Sequence, residues 1–147
     1  MITITKEFTW DMAHMLADHK GLCINIHGHT YKMTVTAARY NTILDDMDMV
    51  VDFKQLKEVV NQVVVAPLDH AFMYWAQTTD VVEYEIANIL KSNGRKTYAF
   101  PYKPTAERMA EYFIEKLNKY LKQHTYPFRI SVLRLWETPS SFAEVIR

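Results

Sequence analysis

Along residues 2–10, ITITKEFTW, side chains alternate with period two: Ile2, Ile4 and Lys6 fall on one side, Thr3, Thr5 and Glu7 on the other. That alternation, rich in β-branched and aromatic residues, predicts a strand. Thr30 to Thr36 repeats it, with Tyr31, Met33 and Val35 opposite Lys32, Thr34 and Thr36, and predicts a second strand. The loop between them, LADHKGLCINI, carries Cys23. The polar, acidic stretch NTILDDMDMVV suits a turn ending in a short apolar strand, Met49 to Val51.

The period then changes. Asp52 is placed to cap a helix, its carboxylate taking an orphan N–H two or three residues on. Phe53, Leu56, Val60, Val63 and Val64 follow at helical spacing as one apolar stripe, and Pro67 closes the run by forcing the preceding residue out of the α region. A second helical pattern covers Val81 to Leu90 through Val82, Ile86, Ile89 and Leu90, and stops at Asn93-Gly94. Thr97 to Phe100 reads as a short strand. Thr105 caps the clearest helix, with Glu107 in its first turn and Met109, Phe113, Leu117, Tyr120 and Leu121 on one face. Phe128 to Glu137 is a strand, and Phe142 to Ile146 a last one after a Thr-Pro-Ser-Ser turn. Strands paired as hairpins with helices inserted between them predict an α+β fold with a largely antiparallel sheet. No linker or repeat interrupts it, so residues 1–147 form one domain.

Charge narrows the function classes. Seventeen Lys+Arg balance seventeen Asp+Glu, which counts against a broad nucleic-acid footprint or an anionic-membrane binder. No apolar run approaches the ~20 residues of a membrane span, and MITITKEFTWD lacks the basic-then-apolar order of a signal peptide. A single cysteine cannot form an internal disulfide, so a reducing, cytoplasmic setting is expected. Only Gly21, Gly28 and Gly94 occur, which excludes both a G-x-G-x-x-G turn and a P-loop. A phosphorylated ligand would be held by side chains or by a helix N-terminus.

The chemistry concentrates in the histidines. His27 and His29 lie two apart at the start of a strand, so both imidazoles aim at one face. His14, just after the first strand, can join them, and three neutral imidazoles with an open fourth position are the ligand set of a catalytic zinc. Two half-buried histidines sharing a strand would read the same way. Gly28 between them has its back to that face, where a side chain would obstruct a neighbour. Cys23, four residues before His27, would lose its proton more readily beside a cation and could serve as a base, or be an inert filler. Asp69 beside His70 can fix the imidazole tautomer. Glu137 ends an apolar strand, where a carboxylate needs a partner: a basic side chain at the rim, or the paired N–H groups of a guanidine-like heterocycle.

Together, Ala13-His14, the string HKGLCINIHGHTY, Val51-Asp52-Phe53, Leu68-Asp69-His70, Pro104-Thr105-Ala106-Glu107 and Trp136-Glu137-Thr138 resemble the 6-pyruvoyltetrahydropterin synthase / 6-carboxytetrahydropterin synthase family. The blocks stand in family order from about residue 8 to 138. The resemblance implies the tunnelling fold: a four-stranded antiparallel sheet with two main helices packed on one face, closed into barrels by trimers that stack as a homohexamer. It implies zinc on His14, His27 and His29, a catalytic Cys23, a proton relay in Asp69 and His70, and a pterin ring anchored by Glu137 beside the Thr105-Ala106 backbone. Active sites of such enzymes lie between subunits. Ala106 departs from the family's usual hydroxyl residue, and residues 71–103 form a long connection with its own helix.

The implied substrate is 7,8-dihydroneopterin triphosphate, its triphosphate met by cations such as Lys20 or Lys32. The short chain and the C-x-x-x-H-G-H spacing look more like the branch that releases acetaldehyde and triphosphate to give 6-carboxy-5,6,7,8-tetrahydropterin for queuosine and other deazapurines. The alternatives are the pyruvoyl-forming branch and a non-catalytic, metal-stabilised oligomeric binding protein.

Overall fold

A computed structural model describes all residues 1–147. The first strand, β1 (Ile4–His14), buries its even positions Phe8, Trp10, Met12 and His14 and leaves Thr5, Glu7, Thr9 and Asp11 outside. β2 (His27–Arg39) pairs with it antiparallel, Ile4 opposite Ala37 and His14 opposite His27. Both strands are longer than the alternation alone marks, and each carries its histidines in its last or first turn of pleat.

The helix predicted from Asp52 is present as α1 (Phe53–Val60), capped by the Asp52 carboxylate on the Lys54 N–H. Leu56, Val60, Val63 and Val64 are buried as expected, but Phe53, the first residue of the helix, is 53% exposed. The chain does not leave the helix before Pro67. A π-helical turn (Asn61–Val65) follows, in which the Ala66 N–H reaches back to Asn61 O, and α2 (Ala66–Leu68) runs through the proline with Ala66 still in the α region. The wide turn shifts the carbonyl four residues back, with which a proline ring would otherwise collide. Met49 to Val51 is no strand: Asp45 Oδ1 accepts the N–H groups of Met47 and Met49 at 2.9 Å each, which coils the segment, while Val50 and Val51 are buried in the core.

The largest departure is the sheet. It has six strands, ordered β4-β3-β1-β2-β5-β6, rather than four antiparallel ones. β3 (Phe72–Trp75) and β4 (Thr97–Phe100) lie beyond β1 and run parallel to it. β3 is only four residues long and buried, so it shows no alternation by which to recognise it. Parallel neighbours need a crossover, and α3 (Val81–Ser92) supplies it. The antiparallel remainder comprises β1, β2, β5 (Phe128–Thr138) and β6 (Ser141–Ile146).

α3 also turns differently from its expected stripe. Val82 and Ile89 are exposed, and Glu83, 1% exposed, faces inward with Ala87. The Glu83 carboxylate accepts the Trp75 N–H at 3.4 Å, while Asp80 caps the helix through the Glu83 N–H. α4 (Ala106–Gln123), capped by Thr105, matches its expected stripe, burying Met109, Phe113, Leu117 and Leu121 fully and Tyr120 partly. With α1 it covers the face of β1, β2 and β5 that carries Phe8, Trp10, Tyr31, Met33, Val35, Leu133 and Leu135. One end of this core face is not apolar. There the histidines sit.

Candidate metal centre and its surroundings

Directly opposed residues of an antiparallel pair point to the same face. His14 faces His27 and Met12 faces His29, so all three imidazoles emerge together at the end of β1 and β2. Tyr31, opposite Trp10, is the next residue inward and closes the floor. Glu137 arrives from β5 by an irregularity. Trp136 pairs with Phe142 but Thr138 with Ser141, so β5 holds one extra residue there, a bulge at Glu137. Bulges redirect a side chain, and this carboxylate lies 3.0 Å from His14 Nε2 and 3.1 Å from His29 Nε2. One donor atom from each of His14, His27, His29 and Glu137 falls within 4.8 Å of the others.

The hydrogen bonds around the rings set which nitrogen faces inward. His14 Nδ1 donates to the Pro104 carbonyl at 2.9 Å and His27 Nδ1 to the Asn25 carbonyl at 2.7 Å. A neutral ring held that way turns its Nε2 lone pair to the centre, the second-sphere arrangement typical of metal-binding histidines. The two Nε2 atoms stand 3.1 Å apart. Lone pairs that close repel, and a shared proton or a metal cation between them removes the repulsion. His29 Nε2 is buried without an aligned hydrogen-bond partner. The donor set therefore fits a divalent ion of borderline softness with nitrogen and oxygen ligands.

The electrostatics agree. Burial holds His29 below the usual imidazole range, with His14 and His27 pushing the same way and Glu137 against them, which favours the neutral, ligating form. The close approach of His14, with His29 and His27 acting the same way, holds Glu137 below the ordinary carboxylate range against the effect of its burial. Burial, helped by Glu137, pushes the Tyr31 phenol far up, so it stays a neutral hydroxyl, 3.5 Å from His14 Nδ1.

The other expected site residues lie around this centre at differing removes. Thr105 and Ala106 are at the start of α4, beside the Pro104 carbonyl that holds His14. Cys23 is partly buried in a single 3-10 turn, Leu22–Ile24, outside the metal-capable group. Its carbonyl accepts the Leu16 N–H at 2.9 Å, which ties the turn to the residues just after His14. Asp69 and His70 do touch, Nδ1 to Oδ1 at 2.9 Å, but this pair is bound to β1 at Asp11, on the side that faces β3. Asp69 accepts the Asp11 N–H and the His70 N–H donates to Asp11 O. The His70 side chain is 76% exposed, shares a groove of about 710 Å³ with Asp11, Gly28 and Thr30, and makes no hydrogen bond to the three imidazoles. Lys32 stacks over Trp136 at 4.3 Å, and Lys20 stays exposed in its loop. A Cβ added to Gly28 would meet Met12 O at an ordinary 3.5 Å, so within one chain the close approach expected there does not exist.

Three participants have no signature in the sequence as read above. The Pro104 and Asn25 carbonyls carry no side-chain signal. Tyr31 counts by its pattern as a core residue, and its place two residues after His29 is the available hint.

The likeness to known proteins extends from the site to the whole chain. A 146-residue match, 42% identical and covering 98% of both sequences, links it to a Haemophilus influenzae protein named 6-carboxy-5,6,7,8-tetrahydropterin synthase. A Rickettsia bellii protein of the same name is 30% identical over 145 residues, covering 99% of this chain and 100% of that one. Among solved structures, the 6-pyruvoyl tetrahydropterin synthases of Plasmodium falciparum (TM-score 0.69, 20% identity, 99% of this chain and 97% of that) and Caenorhabditis elegans (0.66, 22%, 99% and 95%) share its fold. The model of the family 6-pyruvoyl tetrahydropterin synthase matches residues 3–147, and the chain belongs to that family.

Proposed function

We propose that this protein is a zinc-dependent 6-carboxy-5,6,7,8-tetrahydropterin synthase acting on 7,8-dihydroneopterin triphosphate. The observation that carries the proposal is the convergence of three imidazoles, two of them with their outer nitrogens tied down, in a chain 42% identical to a protein bearing that name. Substrate and water would give the carboxylated pterin, acetaldehyde and triphosphate, the ring gaining the two electrons that the side chain loses. No redox cofactor is needed.

His14, His27 and His29 would hold the ion, which supplies Lewis-acid stabilisation of oxygen as negative charge develops. The Cys23 thiolate would take a proton from the substrate side chain, and Asp69–His70 would return one. Glu137 would leave the imidazoles and accept the N–H edge of the pterin, beside the Thr105-Ala106 backbone, which orients the ring. One chain keeps the relay pair exposed and apart from the imidazoles, so the working site would be shared, His70 serving a neighbouring chain's centre. Both edges of the sheet, β4 and β6, are unpaired. Closing them chain to chain gives the barrel of a trimer, and two trimers the hexamer. Service to queuosine or another deazapurine, in the cytoplasm, belongs to the same proposal.

The test is incubation with dihydroneopterin triphosphate and an acetaldehyde trap, with mass analysis of the pterin. Trapped acetaldehyde with a carboxylated pterin is the expected result. A pyruvoyl product would reassign the chain to the sibling activity. No conversion by metal-loaded protein would leave a metal-stabilised binding protein.

A further inference from the structure

The relay pair stands on a turn that another segment of the chain helps to hold. His70 has φ +63°, a left-handed conformation that among non-glycine residues falls mostly to Asn, Asp and His. The turn follows α2, whose terminal carbonyls have no helical partner. Lys96, at the end of the α3–β4 connection, reaches both sides of it: its Nζ donates to Ala66 O at 2.7 Å and to Asp69 O at 2.5 Å. Its own carbonyl accepts the Phe72 N–H at 3.1 Å, so one residue brackets the segment 66–72. Other ties are the main-chain bonds from Asp69 N–H to Val65 O (2.8 Å), His70 N–H to Asp11 O (2.7 Å), Ala71 N–H to Leu68 O (2.9 Å) and Ala13 N–H to Ala71 O (3.0 Å), and the Asp11 N–H to the Asp69 carboxylate (3.2 Å).

We infer that Lys96 is the positioning residue of the Asp69–His70 relay, a carbonyl clamp contributed by the 71–103 connection that fixes the direction in which His70 is presented. The inference rests on the proposed synthase reading. An ammonium suits the task because its three donors can meet two carbonyls at once without matching a planar geometry. Its charge at a helix C-terminus is also favourable. Burial pushes the Asp69 carboxyl up, but the Asp11 N–H, the contact with His70 and, as the smallest contribution, the Lys96 charge together hold it below its usual range. Asp69 thus stays an acceptor that keeps His70 Nδ1 protonated and leaves Nε2 to work. The connection that brought no catalytic side chain of its own is what orients the pair.

The test compares Lys96→Met and Lys96→Arg with Lys91→Met, in the metal-loaded full-length protein. Lys91 ties α3 to β3 by a 3.0 Å bond to the Tyr74 hydroxyl, at the same edge of the sheet but away from the 66–69 carbonyls. We expect Lys96→Met to lower kcat about tenfold with KM within about twofold, since a small misplacement of a reacting group acts on the chemical step. Bound metal should be unchanged, Lys96→Arg should recover most of the rate, and Lys91→Met should keep the wild-type kcat. A wild-type kcat in Lys96→Met, or an equal fall in Lys91→Met, would overturn the inference while the synthase reading stands. A metal-loaded wild type without turnover would overturn that reading and the inference with it.

Discussion

His14 and His27 present Nε2 atoms to each other at 3.1 Å while each spends its Nδ1–H on a main-chain carbonyl. Neutral rings in that state have no hydrogen to place between them. The strand ends are thus built to take up a cation between them, and Glu137 and His29 complete a ring of donors that could hold a metal ion.

Replacing His27 by Ala should weaken divalent-metal binding at least ~100-fold and abolish turnover, with the circular dichroism of the fold retained. His27 is the ring to change because it is only partly buried, whereas His14 lies wholly in the core and its loss would mix metal and packing effects. Metal content after dialysis, measured by elemental analysis, decides it. Full occupancy in His27→Ala would show that the imidazoles are not the ligands.

Cys23→Ala should behave in the opposite way. The cysteine stands outside the metal-capable group, so the ion should stay while kcat falls by ~100-fold or more. Loss of metal together with a collapsed fold would instead mark Cys23 as a structural ligand.

Glu137→Gln separates two duties of one carboxylate. As ring anchor, its loss should raise KM and lower kcat/KM about 10- to 100-fold with metal retained, because an amide offers an N–H where the pterin edge needs an acceptor. Metal titration of the variant is the check: a metal affinity that drops as far as in His27→Ala would make Glu137 a ligand first.

Glu83 predicts a pH dependence of stability. Burial raises its carboxyl above the ordinary range, against the weaker pull of its hydrogen bonds to Thr78 and the Trp75 N–H. The folded state then binds the proton more tightly than the unfolded chain, so stability falls as pH rises from the unfolded carboxyl's range through the folded one. Glu83→Gln, which still accepts the Trp75 N–H, should raise Tm at pH 7 and leave it unchanged near pH 4. Thermal melts at the two pH values measure this, and a variant less stable than wild type at pH 7 would show the charge to be compensated.

The elements whose pattern is local are readable from the sequence. β1, β2, β5 and α4 alternate or repeat over ten or more residues, and their buried faces follow from period alone. β3 is four buried residues and has no period to show. α3 carries apolar residues on more than one side, and the buried Glu83 turns it through a bond to Trp75, eight residues away in sequence. Pro67 stops a helix by the ordinary rule, but the preceding π turn suspends that rule.

The site divides along the same line. His27 and His29 share a face because two residues along a strand return to the same side, so the amino-acid order alone set that pair; Asp69 and His70 are neighbours, but the turn that presents them is bound to Asp11 of β1. What brings Glu137 to His14, puts the Pro104 carbonyl on its outer nitrogen, and draws Lys96 onto the Asp69 carbonyl is the packing of distant segments. A bulge, a helix start and a parallel strand pairing each move a group by ångströms without any trace in local periodicity. Backbone geometry propagates over a few residues, and only the closed core decides which of those local pieces meet.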